Sequence, residues 1–368
     1  MQKNCRIAIL SAGLEKRRDK GYENSSYNLF QNLKKDPQIT THLYKGSGTE
    51  QGDEFRILCF SGRKFAVKLG YLLFNDHFGF EYFVFGIRFV LRSFLRQKKY
   101  DTLYTKEPMV MKTIQYFRKF LPGTPKLVFA VGITMDPIHF IKMGDKLQIL
   151  NIELYKKALS EYPDFAWKLN YLANPASESK IAPAQKSKQE IREKFNIKTR
   201  YVLLSVGTID RHTKRMDYVI AESAELSTDW TLVLCGKESE PELTAMGKKL
   251  LGDRFLNILI KSQEIGEIYK MSDVLVLASL KEGFPNVLIE SMQNKISPVL
   301  HRRELYENAL LSSETLIDMT QKGALSSFLS SKSSEWFKEK GEYAHSVYKS
   351  VYSWDIQKRE YYNLLEIS

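Results

Sequence analysis

Residues 279–292 read Ser279-Leu280-Lys281-Glu282-Gly283-Phe284-Pro285-Asn286-Val287-Leu288-Ile289-Glu290-Ser291-Met292. An apolar run, Asp273 to Ala278, precedes them and reads as a buried strand. Beyond the Gly-Pro turn, Val287, Leu288 and Ser291 fall on one side at helical spacing. The order is strand, turn, helix. At the carboxyl end of a parallel strand, the free N–H groups of the next helix's first turn point outward with the positive end of its dipole, which suits a diphosphate. Gly283 lets a ligand approach the backbone, and Pro285 suits a first helical turn, where its missing N–H is not needed. Glu282 stands at the mouth of the turn and Glu290 one to two turns into the helix, so the pair can reach opposite ends of an elongated, hydroxyl-rich ligand.

The string EGFPNVLIESM, with its two glutamates bracketing the turn, resembles the signature of the retaining nucleotide-sugar glycosyltransferases of family four (glycosyl transferases group 1). The resemblance implies a GT-B fold: α/β, with two Rossmann-like doubly wound domains facing each other across a cleft. It also implies a donor site in which Glu282 meets hydroxyls of the transferred sugar and Glu290 the ribose. The backbone of Gly283, Phe284, Pro285, Asn286 and Val287 would meet the diphosphate.

The 368-residue chain exceeds the usual size of one core, so two domains are expected. Three scattered cysteines, Cys5, Cys59 and Cys235, have neither disulfide nor metal-ligand spacing, which fits a reducing cytoplasm. The four-residue apolar run near the N-terminus reads as a first strand, not as a signal-peptide core. The longest aromatic and aliphatic stretch, Tyr71 to Leu95, is interrupted by Asp76, His77, Glu81, Arg88 and Arg92. Charge is uneven. Residues 1–178 hold 28 Lys and Arg against 17 Asp and Glu, whereas residues 179–368 hold 27 against 26. The first half is therefore expected to meet something anionic, such as a membrane surface, a lipid phosphate, an acidic glycan or a nucleic acid.

Arg6 to Gly13 reads as a strand, followed by a loop with Arg17, Arg18 and Lys20 and a helix from Tyr22 to Lys35. In the resembled family a glycine-rich loop here faces the donor, and Gly21 is the matching position. Between Phe78 and Tyr100 the chain is aromatic and basic at once. Arg88, Arg92 and Arg96 recur every four residues, which places three cations on one helical face, suited to an anionic bilayer or to a solvated or paired surface of a core helix. Asp101 to Tyr104 and Lys126 to Val131 read as further strands, with a helical segment, Met109 to Phe120, between them. The family often places a His after the second of these, and His139 is the first His beyond it. Asn174-Pro175 closes the first half, and residues 176–190 read as a linker.

A second alternating series follows: Tyr201 to Val206, Trp230 to Cys235, Ile258 to Lys261, Val274 to Ala278 and Ser297 to Leu300, the sign of a parallel sheet. The expected domains are 1–178 for an acceptor and 179–351 for the donor, with a last helix over 352–368 crossing back onto the first. Gly207 ends the first strand of this half. Lys214 stands seven positions on, where the family carries a basic residue, and can act as a mobile point charge on a diphosphate. Thr208 stands where an Arg often follows the glycine, leaving Arg211, His212 or Arg215 for that role. Gly236 and Lys261-Ser262 occupy strand ends that line the nucleotide pocket in the family.

No two aspartates stand two apart, so no metal-binding Asp-x-Asp is present and no metal or other cofactor is expected. Lys214, Arg211 and helix amides would then meet the charge of the departing nucleotide diphosphate, with Glu282 beside the reacting sugar. The expectation is a retaining hexosyltransferase that uses a UDP- or GDP-sugar and acts on a lipid-linked or cell-surface glycan, such as lipopolysaccharide or capsule, in the cytoplasm at the inner face of the membrane. A catalytically inactive partner of the same fold is the alternative. A nucleic-acid-binding role is suggested by charge alone and has no recognition motif.

Overall fold

The computed structural model describes residues 5–15, 21–60, 64–132, 136–176, 186–259 and 264–367, and the chain forms two compact units. The first comprises residues 1–175 and 357–368, the second residues 176–356.

In the first unit, strands and helices follow as β1 (Cys5–Ser11), α1 (Gly21–Leu33), β2 (Ile39–Lys45), β3 (Glu54–Arg56), α2 (Lys64–Phe74), α3 (Gly79–Leu95), β4 (Thr102–Thr105), α4 (Pro108–Tyr116), β5 (Lys126–Val131), β6 (Lys146–Ile149), α5 (Ile152–Glu161) and β7 (Leu169–Tyr171). All seven strands are parallel, in the order β3-β2-β1-β4-β5-β6-β7. The chain starts in the middle and winds to either edge. The topological switch point lies between β1 and β4, whose apolar runs are buried as a central parallel sheet demands.

The second unit follows with α6 (Lys188–Lys194), β8 (Tyr201–Val206), α7 (Met216–Ala224), β9 (Trp230–Cys235), α8 (Pro241–Leu251), β10 (Phe255–Ile258), α9 (Ile265–Met271), β11 (Val274–Leu277), α10 (Asn286–Gln293), β12 (Ser297–His301), α11 (Glu304–Leu310), β13 (Leu316–Ile317), α12 (Ala324–Ser330) and α13 (Ser334–Val347). Its six parallel strands run β10-β9-β8-β11-β12-β13, with the switch point between β8 and β11. Both units are Rossmann-like sheets of the GT-B kind. The strand expected over Ile258 to Lys261 forms earlier, because Phe255 to Ile258 pair in register with Leu232 to Cys235.

The last helix, α14 (Trp354–Leu365), returns the chain to the first unit. Its Tyr361 hydroxyl donates to the carbonyl of Ala173 at 2.7 Å and accepts from Gln148 at 2.9 Å, and the Thr102 hydroxyl donates to the carbonyl of Leu365 at 2.8 Å.

The aromatic residues of α3 divide by face. Tyr82, Phe85 and Phe89 enter the core of the first unit, while Arg88 and Arg92 turn to the end of β3 and the residues just beyond it. Arg88 donates to the carbonyl of Leu58 and lies over the Phe60 ring. Arg92 donates to the carbonyl of Arg56 at 3.0 Å and stacks on Tyr44 and Phe55. Arg96, at the helix C-terminus, is exposed. Two of the three arginines are therefore partners of the protein's own backbone and rings. Among the described residues no helix is long and apolar enough to cross a membrane.

Candidate functional site

The carboxyl ends of β8 and β11, neighbours at the switch point of the second sheet, carry the residues that the sequence singles out. Such a point leaves a crevice between loops that diverge to opposite faces of the sheet.

Beyond β8, Gly207 has φ +144° and donates its N–H to the Cys235 carbonyl at 3.0 Å. Gly236, with φ +155°, is pressed against the Gly207 carbonyl. The chain then turns sharply around Asp210, whose carboxylate accepts from the Thr213 N–H at 2.5 Å, the Lys214 N–H at 3.1 Å and the Thr213 hydroxyl. Burial pushes the Asp210 carboxyl up, but these hydrogen bonds outweigh it and hold the group below the ordinary carboxylate range. The turn closes in the left-handed region at Arg215, φ 52°, whose guanidinium donates to the Met319 carbonyl at 2.9 Å.

This turn lays Lys214 back over Gly207. A methyl group on Gly207 would come within 2.8 Å of the lysine Cε. From there the Lys214 ammonium crosses to the neighbouring loop and pairs with Glu282, which is only 7 % exposed against 20 % for the lysine. Two residues 68 positions apart thus form an ion pair above the strand ends.

The β11–α10 loop is anchored from below. Phe284 is buried with its ring 5.7 Å from that of Tyr352, which makes it a packing residue of the loop. Pro285 is the N-cap residue of α10, one position earlier than the first helical turn expected for it, and its carbonyl accepts from the Leu288 N–H at 3.0 Å. Asn286 and Val287, half-buried, open the helix. Helix α10 thus begins four residues after Glu282, at the end of the same loop that carries the ion pair.

Glu290 lies farther along α10, buried, and accepts the hydroxyl hydrogen of Tyr269 at 2.6 Å. Burial, then the neighbouring Glu290 carboxylate, drive the Tyr269 hydroxyl well above its ordinary pKa and push the Cys235 thiol up to about 12. The carboxylate is therefore tied to α9 through Tyr269. Tyr269 went unnoticed in the sequence; its signal was a tyrosine on the apolar face of a short helix, where a buried hydroxyl needs a partner.

Other expected positions lie apart from this group. Arg211 forms an ion pair with Glu240 at the start of α8, 3.0 Å from Nε, and Thr208 and His212 are exposed. Lys261 and Ser262 fall outside the described residues. Gly21 is the first residue of α1, in the other unit, and His139 is exposed on a short turn after β5. Among the described residues no three His, Cys, Asp or Glu side chains gather as a metal site.

Residues 187–329 match the family described as glycosyl transferases group 1. No curated protein matches the chain significantly. Several solved structures share its fold. Sucrose-phosphate synthase from Thermosynechococcus elongatus is 15 % identical with a TM-score of 0.75, over 99 % of this chain and 100 % of that one. Anabaena Alr3699/HepE in complex with UDP and glucose is 12 % identical with a TM-score of 0.75, over 99 % and 100 %. WaaG, a glycosyltransferase involved in lipopolysaccharide biosynthesis, is 12 % identical with a TM-score of 0.69, over 97 % and 99 %. The second unit thus carries a group 1 glycosyltransferase domain, within a chain of GT-B fold.

Proposed function

We propose that the protein is a retaining, metal-independent hexosyltransferase that takes its sugar from a UDP- or GDP-sugar and delivers it to a lipid-linked or cell-surface glycan at the cytoplasmic face of the membrane. The observation that carries this reading is the Lys214–Glu282 pair at the switch point, on the loop that leads into the N-terminus of α10. A diphosphate seated on the first amides of that helix draws the Lys214 ammonium toward itself and frees the Glu282 carboxylate to accept from sugar hydroxyls. Glu290, held by Tyr269, accepts from the ribose at the other end of the ligand.

The chemical burden is the departing nucleotide diphosphate, and a preorganised lysine with helix amides stabilises it electrostatically. With the acceptor hydroxyl approaching on the leaving group's own face, the bond from the anomeric carbon to the phosphate oxygen breaks as the new glycosidic bond forms. The released phosphate oxygen takes the acceptor's proton, and configuration is retained.

The test is a thermal-shift panel of UDP, GDP, ADP and dTDP, each with EDTA and with magnesium, on wild type and Glu290→Ala. A ligand of the native state raises the midpoint with the logarithm of its concentration over its dissociation constant. The expected result is stabilisation by one nucleotide in EDTA, weakened in Glu290→Ala. No shift with any nucleotide overturns the donor site.

One observation favours a second reading, a catalytically inactive sugar-nucleotide-binding partner: Thr208 stands at the glycine loop and Arg211 is engaged with Glu240. Slow hydrolysis of the donor, lost in Glu282→Ala, excludes it.

A further inference from the structure

Helix α2 is apolar at eight of its eleven positions (KFAVKLGYLLF), yet it buries only Ala66 and Gly70. A helix of that composition is normally enclosed by protein or lipid. Here Leu72 and Leu73 are 78 % and 58 % exposed, and on the adjoining α3, beyond the tight turn that joins the two, Leu91 and Leu95 are 52 % and 76 % exposed. Of the 19 large hydrophobic residues exposed among those described, eight fall between Leu58 and Leu95. They concentrate on two consecutive helices, in contrast to the singly scattered exposed apolar residues every surface has.

The same stretch is basic. Residues 58–99 contain eight Lys and Arg against two Asp and Glu, an excess of six in a chain whose whole excess is twelve. One of the two acidic residues, Glu81, is buried. Lys64 and Lys68 are exposed on α2 beside the leucines. Exposed leucine and tyrosine flanked by lysine is the composition of a helix lying in the plane of an anionic bilayer, its rings at headgroup level and its cations on the lipid phosphates. A second copy of the chain is a poor occupant, because a two-fold contact would bring two such basic surfaces together.

We propose that the α2–α3 hairpin is the surface by which the protein docks on an anionic lipid bilayer, through Tyr71, Leu72, Leu73, Leu91 and Leu95, with Lys64 and Lys68 on the headgroups. This deepens the reading above and rests on its lipid-linked acceptor. The sequence pointed to Arg88, Arg92 and Arg96 for this role; Arg88 and Arg92 donate to backbone carbonyls at the end of β3 and just beyond it, while Arg96 is exposed.

The experiment is co-sedimentation of the full chain with vesicles of phosphatidylcholine and phosphatidylglycerol in equal parts, and with phosphatidylcholine alone. Wild type, a Leu72→Asp/Leu73→Asp variant and a Lys64→Glu/Lys68→Glu variant are compared. Wild type should bind the mixed vesicles and, more weakly, the neutral ones. The leucine variant should lose roughly tenfold or more in partition, and the lysine variant should lose the preference for the anionic lipid. These side chains are exposed, so the melting midpoint should stay at the wild-type value and confirm that each variant is folded. Wild-type protein that stays in the supernatant, or a leucine variant that binds like wild type, overturns the proposal. So does a wild-type dimer in light scattering that Leu72→Asp/Leu73→Asp converts to monomer, since the face would then belong to a second copy. Nucleotide stabilisation, measured on the same samples, separates the two readings: protein stabilised by nucleotide but indifferent to vesicles sinks the docking surface alone. Vesicle binding without any nucleotide effect sinks the donor site alone.

Discussion

Gly236 lies so close to Gly207 that a methyl group built on it would sit 1.9 Å from the Gly207 carbonyl oxygen. The obstacle is backbone, which no rotamer change can move aside, and the φ of +155° at Gly236 already disfavours any side chain. Gly236→Ala is therefore expected to push β8 and β9 apart at their carboxyl ends, at a cost of about 2–4 kcal/mol. Nucleotide stabilisation should be lost with it. Gly252→Ala is the control: its φ of +56° is also left-handed, but nothing lies within 4 Å of the added carbon. It should cost about 1 kcal/mol and leave the nucleotide response intact. Equal nucleotide responses in the two variants would show that the closeness of the strand ends is irrelevant to the site.

Lys214 and Glu282 form their ion pair with the glutamate almost wholly covered. Removing the lysine leaves a buried carboxylate without that cation, a larger loss than removing both charges. Because Lys214 keeps some exposure, Lys214→Ala should cost about 1–2 kcal/mol, and Lys214→Ala/Glu282→Gln should recover most of it. Denaturant titration of the four proteins gives the coupling energy. Nucleotide diphosphate affinity should separate from stability in the same set: the double variant, though stable, should bind roughly tenfold or more weakly than wild type. Additive stability losses would mean that the pair does not hold the loops together.

The β11–α10 loop was legible because its information is local. Strand, glycine-proline turn and helix follow one another within twenty residues, and Lys214 could be placed by counting from Gly207. What escaped notice depends on distant packing. Tyr269 meets Glu290 only because α9 docks beside α10, and the spacing of Arg88 and Arg92 gave their common face but not the end of β3 and the residues just beyond it that this face meets. The short strands β6 and β7 carry too few residues for a pattern of their own; pairing with β5 makes them strands. Lys106 and Glu107, two charged residues just after β4, carry no signal of their own in the sequence. Only the central place of β4 in the sheet, and Asn174, 68 positions later, bury them.

The hydroxyl of Tyr269 gives Glu290 a donor at 2.6 Å in a buried setting. Tyr269→Phe keeps the ring and deletes that donor, which should cost about 1–3 kcal/mol. If the bond fixes the carboxylate for a ribose, nucleotide affinity should fall roughly threefold to tenfold, with the order among bases unchanged. Calorimetric titration checks it. Affinity at the wild-type level in Tyr269→Phe, with loss in Glu290→Ala, would reduce the tyrosine to a packing role.

At the carboxyl ends of β1 and β4, the Glu107 carboxylate accepts from the Thr105 hydroxyl at 2.8 Å, the Ser11 hydroxyl at 3.3 Å and the Gly13 N–H at 3.5 Å. Beside it the Lys106 ammonium donates to Ser25 at 2.7 Å and Asn174 at 2.5 Å. Burial pushes the carboxyl up to about 7 from 4.5, and the ammonium down to about 7 from 10.5. A folded-state value raised above the unfolded one favours the native state at low pH, and that advantage drains away as pH rises from about 4.5 to about 7. The lysine, depressed, loses stability as pH falls from 10.5 toward 7, and below that it is charged in both states. Between pH 5 and 7, roughly, the glutamate therefore titrates almost alone within this pair. Glu107→Gln removes the titration and retains an acceptor for Ser11 or Gly13. The stability of wild type minus that of Glu107→Gln, from denaturant midpoints, should fall steadily across this window and level off above it. A difference that rises with pH would mean that the native carboxyl is held ionised, and a flat one that it is as well solvated as in the unfolded chain.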